Sequence, residues 1–179
     1  ESESRYKYLI DSVTDYIYTV KVENGSPVST SHGYGCEGIT GFTSDGFDAN
    51  PFLWLQIIHE RDREAVKKHA ETILSGKKES PIEHRIICKD GRIKWIRNTP
   101  VLHYDEHGNL TAYDGLISDI TESKIAWDAV EKAKKEWETT FDAIKDPIFI
   151  HDKKFNLVRV NKAYQMAAGM AFNEIIGRS

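Results

Sequence analysis

Three runs of strand-forming residues, 81–88, 92–104 and 110–120, are separated by little more than Asp90-Gly91 and His107-Gly108-Asn109, and this spacing constrains the fold more than anything else in the chain. Connections so short join antiparallel neighbours, because parallel strands need crossovers of a dozen residues or more. The three runs therefore predict a meander. The last run leads directly into Asp119-Ile120-Thr121-Glu122 and a charged helical stretch. Asp119 as N-cap with Glu122 at N3 predicts a capping box that starts a helix where the strand stops. Strain in that strand would then reach the helix with almost no slack.

Upstream, residues 16–22 and 28–31 flank Asn24-Gly25, a strong hairpin signal, and give a first antiparallel pair. Gly33, Gly35, Gly38, Gly41 and Gly46 predict short helical turns and loops. No Lys-Ser or Lys-Thr follows them, so a phosphate-binding loop is disfavoured. Residues 52–74 read as helix, interrupted in its apolar character by His59-Glu60-Arg61-Asp62-Arg63 and ended by Gly76. The order of elements predicts an α+β fold, a five-stranded antiparallel sheet with helices between strands two and three and a long helix after the sheet. Residues 1–13, with Tyr6, Leu9, Ile10 and Val13 at helical spacing, predict an N-terminal cap helix.

Over 122–143 the pattern turns to a polar helix in which Ala126, Val130, Ala133, Trp137, Thr140 and, just beyond it, Ile144 recur at alternating four- and three-residue steps. Such a helix is marginal alone, so it predicts pairing with a second helix, most simply its copy in a homodimer. The alternative is a helix packed back on its own domain.

At 179 residues, with 40% hydrophobic and 11% aromatic residues, the chain can bury a real core. A net charge of −4 with lysines interleaved among acids argues against nucleic acid as a partner. No apolar run reaches the length that spans a bilayer, so no membrane contact is predicted, and a first residue of Glu1 reads as a fragment of a longer protein. Cys36 and Cys88, isolated from one another, fit neither a disulfide framework nor a zinc site and predict a reducing, cytoplasmic setting.

The chain also repeats itself. Residues 10–18 reappear in character as 141–149, Val28 and Tyr34 answer to Val158 and Tyr164, and Gly41-Phe42 answers to Gly169-Met170. The repeat stops before any counterpart of the last three strands, so the second copy is expected to be poorly ordered or to borrow a surface.

These residues resemble the PAS sensor family. His59-Glu60-Arg61-Asp62-Arg63 is similar to the family's His-Pro-Glu-Asp-Arg, with Glu60 in place of proline. Residues 89–96 resemble its Lys-Asp-Gly-x-x-x-Trp hairpin, and residues 105–109 with 115–121 resemble its closing hairpin and Asp-Ile-Thr stop. Asn161-Lys162-Ala163 and Glu174-Ile175-Ile176-Gly177 resemble elements of a PAS N-terminal half, whereas the first copy has Ser31 where the second has Asn161. The resemblance implies a PAS core over 14–121, a linker helix over 122–143 and a truncated second unit over 144–179.

It also implies a sensory module of a multidomain signalling protein, with a sensor histidine kinase as the leading parent and a diguanylate cyclase or a ligand-independent dimerisation scaffold as alternatives. Signal would pass through Asp119, Ile120, Thr121 and Glu122 to an output domain in the same polypeptide. No catalytic group is assigned, because His32, His59, His84 and His103 lack a nucleophile partner. A small organic ligand is the broad cofactor alternative to none. Trp54, Ile57, Val66, His69, Ile73, Trp95 and Tyr113 are candidate pocket residues, with Arg85 or Asn98 as orienting polar groups. His69 is the best axial-ligand candidate for haem, yet its neighbours Lys67 and Lys68 argue against it. Flavin photochemistry is disfavoured, since Cys36 lacks the surrounding Asn-Cys-Arg-Phe-Leu-Gln pattern.

Overall fold

The structure is a computed structural model that describes residues 16–33 and 35–177; the predicted cap helix over 1–13 lies outside them. Asn24 and Gly25 both adopt positive φ, 52° and 74°, the conformation a tight hairpin turn demands, and join β1 (Tyr16–Glu23) to β2 (Ser26–His32). The predicted meander is β3 (Ile82–Ile87), β4 (Ile93–Tyr104) and β5 (Leu110–Asp119). All pairings are antiparallel, and the strand order is β2-β1-β5-β4-β3. The first and last strands in sequence that lie at the centre, β1 and β5, bring the start of the sheet against its end.

Between β2 and β3 lie α1 (Cys36–Thr40), α2 (Ser44–Ala49), α3 (Leu53–Gln56), a 3₁₀ turn (Glu60–Asp62) and α4 (Arg63–Leu74). The single helix expected over 52–74 is therefore broken. The cause is tertiary: Ile58 bridges to Ile86, Ile87 N–H donates to Ile57 carbonyl at 2.7 Å, and His59 N–H donates to Arg85 carbonyl at 3.0 Å. The segment between α3 and the 3₁₀ turn thus serves as an extra edge contact for β3. The C-terminal stop is as expected, with Gly76 at φ 79° donating to the Ile73 carbonyl.

Period-two burial sets the two faces of the sheet. Tyr16, Val20 and Val22, then His84, Ile86 and Cys88, then Ile96 and Asn98, then Tyr113 and Ile117 are buried on one side. One apolar cluster gathers Tyr16, Ile39, Phe47, Ile57, Ile86, Ile96 and Ile117, and another gathers Val20, Val22, Ile73 and Tyr113. Each fully buried Ile, Val or Leu of this kind contributes about 1.5–3 kcal/mol relative to exposure.

The long helix α5 (Thr121–Ala143) follows β5 after one residue. The chain divides into two compact units between Lys124 and Ile125, inside this helix. The second unit contains β6 (Phe149–His151), β7 (Leu157–Val160), α6 (Lys162–Ala168) and α7 (Phe172–Ile175). It has a local core of its own around Asn161, which is completely buried. The Asn161 side-chain amide donates to the carbonyls of Phe141, Ile144 and Asp146, while its oxygen accepts from Ile148 and Tyr164 N–H. One side chain thereby ties the end of α5, the start of β6 and the N-terminus of α6. The repeat seen in sequence has a local counterpart here: Gly41 closes α1 and Gly169 closes α6, both in the left-handed conformation.

Candidate functional site

The junction from β5 to α5 is built from Trp95, Asp119 and Thr121. Ile120 N–H donates to the Trp95 carbonyl at 2.9 Å, and Trp95 N–H donates to the Thr121 hydroxyl at 3.0 Å. That hydroxyl donates in turn to Asp119 Oδ1 at 2.5 Å, and the same oxygen accepts Thr121 N–H at 2.9 Å. Lys94 Nζ pairs with the other carboxylate oxygen at 3.1 Å. Burial pushes the Asp119 carboxyl up, but the hydrogen bonds from Thr121 and Lys94 more than offset it and leave it below the usual carboxylate range. Asp119 stands one residue further out than the expected N-cap: the helix begins at Thr121, Lys124 N–H donates to the Ile120 carbonyl, and the Asp119 carboxylate accepts from Thr121 two residues on. Thr121 closes the arrangement, and Glu122, expected at N3 of a capping box, takes no part in these bonds.

The first turn of α5 is also held on the outer face of the sheet. Lys124 Nζ pairs with Glu83 Oε2 at 2.7 Å and lies 5.0 Å from the centroid of Trp95. Arg85 lies over the same ring at 5.3 Å and forms a two-pronged pair with Asp62, at 2.6 and 2.9 Å. Trp95 is thus flanked by two cations, each anchored by its own carboxylate. The Arg85 guanidinium draws the Asp62 carboxyl down to about 2. His59 accepts Arg61 N–H and caps the 3₁₀ turn, so His59 and Asp62 serve structure at the helix break.

The candidate pocket residues divide between the two faces. Trp54, Ile57, Val66, Ile73, Asn98 and Tyr113 are on the helix side, buried or half-buried. Arg85 and Trp95 are not: paired with one another across β3 and β4, they occupy the opposite face. The alternation that buries His84, Ile86, Ile96 and Asn98 puts their odd-numbered neighbours outside. His69 is also corrected, because its Nε2 is engaged 2.9 Å from the Ser80 carbonyl and secures the loop after α4. That contact removes the basis for His69 as an axial haem ligand. Cys36 is buried with its thiol on the Phe42 carbonyl, and burial pushes its pKa up, as suits an unreactive thiol.

Three helix-facing residues, Tyr18, His32 and His84, were not among the pocket candidates drawn from the sequence. Tyr18 lies across β5 at Gly115, where an added Cβ would come within 2.1 Å of the ring, and its hydroxyl accepts from Asn98 Nδ2 at 2.7 Å. His32 stacks between Phe47, at 3.9 Å between centroids, and Tyr18, at 5.7 Å. His84 is buried on β3, and burial lowers both imidazoles to about 4. For His84 the signal that could have found it is register: counting outward from Asp90-Gly91 places residues 84, 86, 96 and 98 on one face.

On α5 the expected seam is uneven. Val130 is 62% exposed, and Ala126 and Ala133 are exposed with it. Trp137, in contrast, stacks on Phe141 at 4.8 Å and carries the Arg159 guanidinium at 4.4 Å. Arg159 is held by Glu138 at 2.9 Å, so Trp137 is occupied within the second unit. Ile144 contributes its carbonyl to Asn161. Among the described residues no helix is long and apolar enough to cross a membrane.

Comparisons with known proteins agree with this geometry. Residues 32–117 match the family model described as the PAS fold. The chain is 27% identical over 132 residues to the methyl sulfide methyltransferase-associated sensor of Methanosarcina acetivorans, covering 70% of this chain and 12% of that protein. It therefore spans about an eighth of that relative's length. A solved sensory box histidine kinase/response regulator from Burkholderia thailandensis superimposes with a TM-score of 0.59 at 17% identity, covering 75% of this chain and 98% of that one. An RNA-binding light-oxygen-voltage receptor gives a TM-score of 0.53 at 11% identity, covering 93% and 76%. At such identities these two likenesses concern the fold.

Proposed function

We propose, from the premise that the chain belongs to the PAS fold family through residues 32–117, that its first unit is the sensory or regulatory module of a multidomain signal-transduction protein. The observation that carries this reading is the tie between sheet and helix. Trp95 on β4 is bonded through its backbone to Ile120 and Thr121, and its ring holds Lys124 of the first turn of α5. A change in the sheet at β4 or β5 displaces these partners together and so biases the helix. Mechanically this is a two-state element whose populations shift with differential contacts on the helix side, with a coupling of about 1–3 kcal/mol. The similarity to a protein named as a sensor supports the same direction.

In this reading α5 is the output arm and residues 144–179 are the opening part of a second PAS unit. A sensor histidine kinase is the parent that the motif resemblance favours, operating in the cytoplasm. The exposed stripe at Val130 favours a helix-mediated homodimer as the form in which the arm works. The first test is Asp119→Ala with hydrogen exchange read along α5. Loss of the carboxylate removes the acceptor for both Thr121 groups, so protection in the first turns should drop by about tenfold, the equivalent of a cap worth about 1 kcal/mol or more, while β1 to β4 stay protected. Unchanged protection in α5 would refute the relay.

A further inference from the structure

A line of polar side chains crosses the helix-facing side of the first unit: His32 on β2, Tyr18 on β1, Asn98 on β4 and His84 on β3. Tyr18 and Asn98 are bonded to one another, and Gly115 on the intervening β5 leaves room for the tyrosine ring to pass over it. Three atoms of this line, His32 Nδ1, His84 Nδ1 and Asn98 Oδ1, are buried and have no hydrogen-bond partner among the described residues. Asn98 is 7% exposed and His84 4%. Buried polar groups in native proteins are nearly always satisfied, so three such atoms on one face ask for a guest.

Register places two of them within one small molecule's reach. Ile82 pairs with Asn98 and His84 with Ile96, so His84 and Asn98 are diagonal neighbours on adjacent strands, about 7 Å apart at their bases. Charge narrows the chemistry. The buried polar residues of this unit are Thr40, His84 and Asn98, with no Lys, Arg, Asp or Glu among the described buried positions. An ion placed there would lose its hydration without gaining a counter-charge. Burial also keeps both imidazoles neutral near pH 7, where each offers one donor and one acceptor.

We infer that Asn98 and His84, with Tyr18 orienting the Asn98 amide, bind a small uncharged amide- or azole-type molecule whose N–H donates to Asn98 Oδ1 and whose second polar atom meets His84 Nδ1. This names the ligand class of the sensory unit and rests on the sensory reading above. The test is a titration of the ¹⁵N-labelled full chain at pH 7.5 with acetamide and, separately, with its isosteric anion acetate. Acetamide is expected to shift the Asn98 side-chain amide and the His84 ring nitrogens saturably, acetate is expected to leave them in place, and both Asn98→Ala and His84→Phe are expected to weaken acetamide at least tenfold. His84→Phe keeps an aromatic ring in the core and guards against loss of folding. No shift with acetamide, or equal shifts with acetate, overturns the site. Amide exchange along α5 in the same samples separates the two readings. Saturable binding at Asn98 with α5 unchanged retains the site and overturns the sensory reading, whereas a silent titration overturns the site alone.

Discussion

Trp95 is engaged at once through its backbone and through its ring. Its backbone groups receive and donate at the start of α5, and its ring lies between Arg85 and Lys124. Gly115 has an equally specific task, because any side chain there would occupy the space of the Tyr18 ring. Gly115→Ala should therefore expel that ring, break the Tyr18–Asn98 bond and cost about 1–3 kcal/mol. A urea midpoint equal to that of the parent chain would show that the ring does not need the space. The buried histidines set a pH window with a definite sign. His32 and His84 are neutral in the fold down to about 4, against an ordinary value of 6.5. As pH falls from 6.5 towards 4, the unfolded chain takes up protons that the fold refuses, so stability is full above 6.5 and declines through that window. Asp62 works in a lower one: drawn down to about 2 from 3.8, its contribution is intact above 3.8 and is lost as pH falls below it. Denaturation midpoints at pH 7.5 and 5.0 should differ, and His84→Phe should reduce that difference; a parent chain equally stable at both pH values would contradict the buried neutral state.

Among the elements, α5 and the second hairpin show how far local signals reach. The helix forms where its polar, Glu- and Lys-rich sequence predicts it, but its two ends are secured by tertiary partners, Trp95 and Asp119 at one end and Asn161 at the other. Asn161 makes five hydrogen bonds to the backbone of the second unit from a fully buried position. Its replacement by Ala would leave several buried backbone groups unpaired at about 1–3 kcal/mol each. Asn161→Ala should abolish exchange protection at Ile148 and Tyr164 while leaving β1 to β5 of the first unit unaffected. Retained protection at those two amides would mean that the asparagine is not the lock. The turn of this hairpin repeats that of β4 and β5: Asp152 accepts from Lys154 and Asn156, as Asp105 accepts from His107 and Asn109. Phe155 takes the positive-φ place that Gly108 holds in the other loop.

At the scale of the whole molecule, the exposed apolar residues of α5 bear on assembly. Trp127, 68% exposed and three residues before the 62% exposed Val130, widens the sequence-derived stripe of Ala126, Val130 and Ala133. Sedimentation of the full chain should show a dimer that Val130→Glu dissociates; a monomer for the parent chain would leave this stripe without a helix partner. Much of the architecture is legible in the sequence itself. Asn24-Gly25, Asp90-Gly91 and Gly108 punctuate the strands because only certain residues accept their turn geometry at low cost, and such local sterics are written in the sequence. The same holds for Asp119, whose short carboxylate reaches its neighbours two residues on. What the chain alone did not reveal was which groups meet across distance. The break of the helix at Ile58 depends on β3, the division of Arg85 and Trp95 from Asn98 and Tyr113 depends on strand register, and the fate of Trp137 depends on Arg159. Local sequence determined the strands, turns and helix start through short-range sterics and hydrogen bonding. Only tertiary structure decided the faces and partners of the site, because a shift of one residue in pairing exchanges the two sides of a strand.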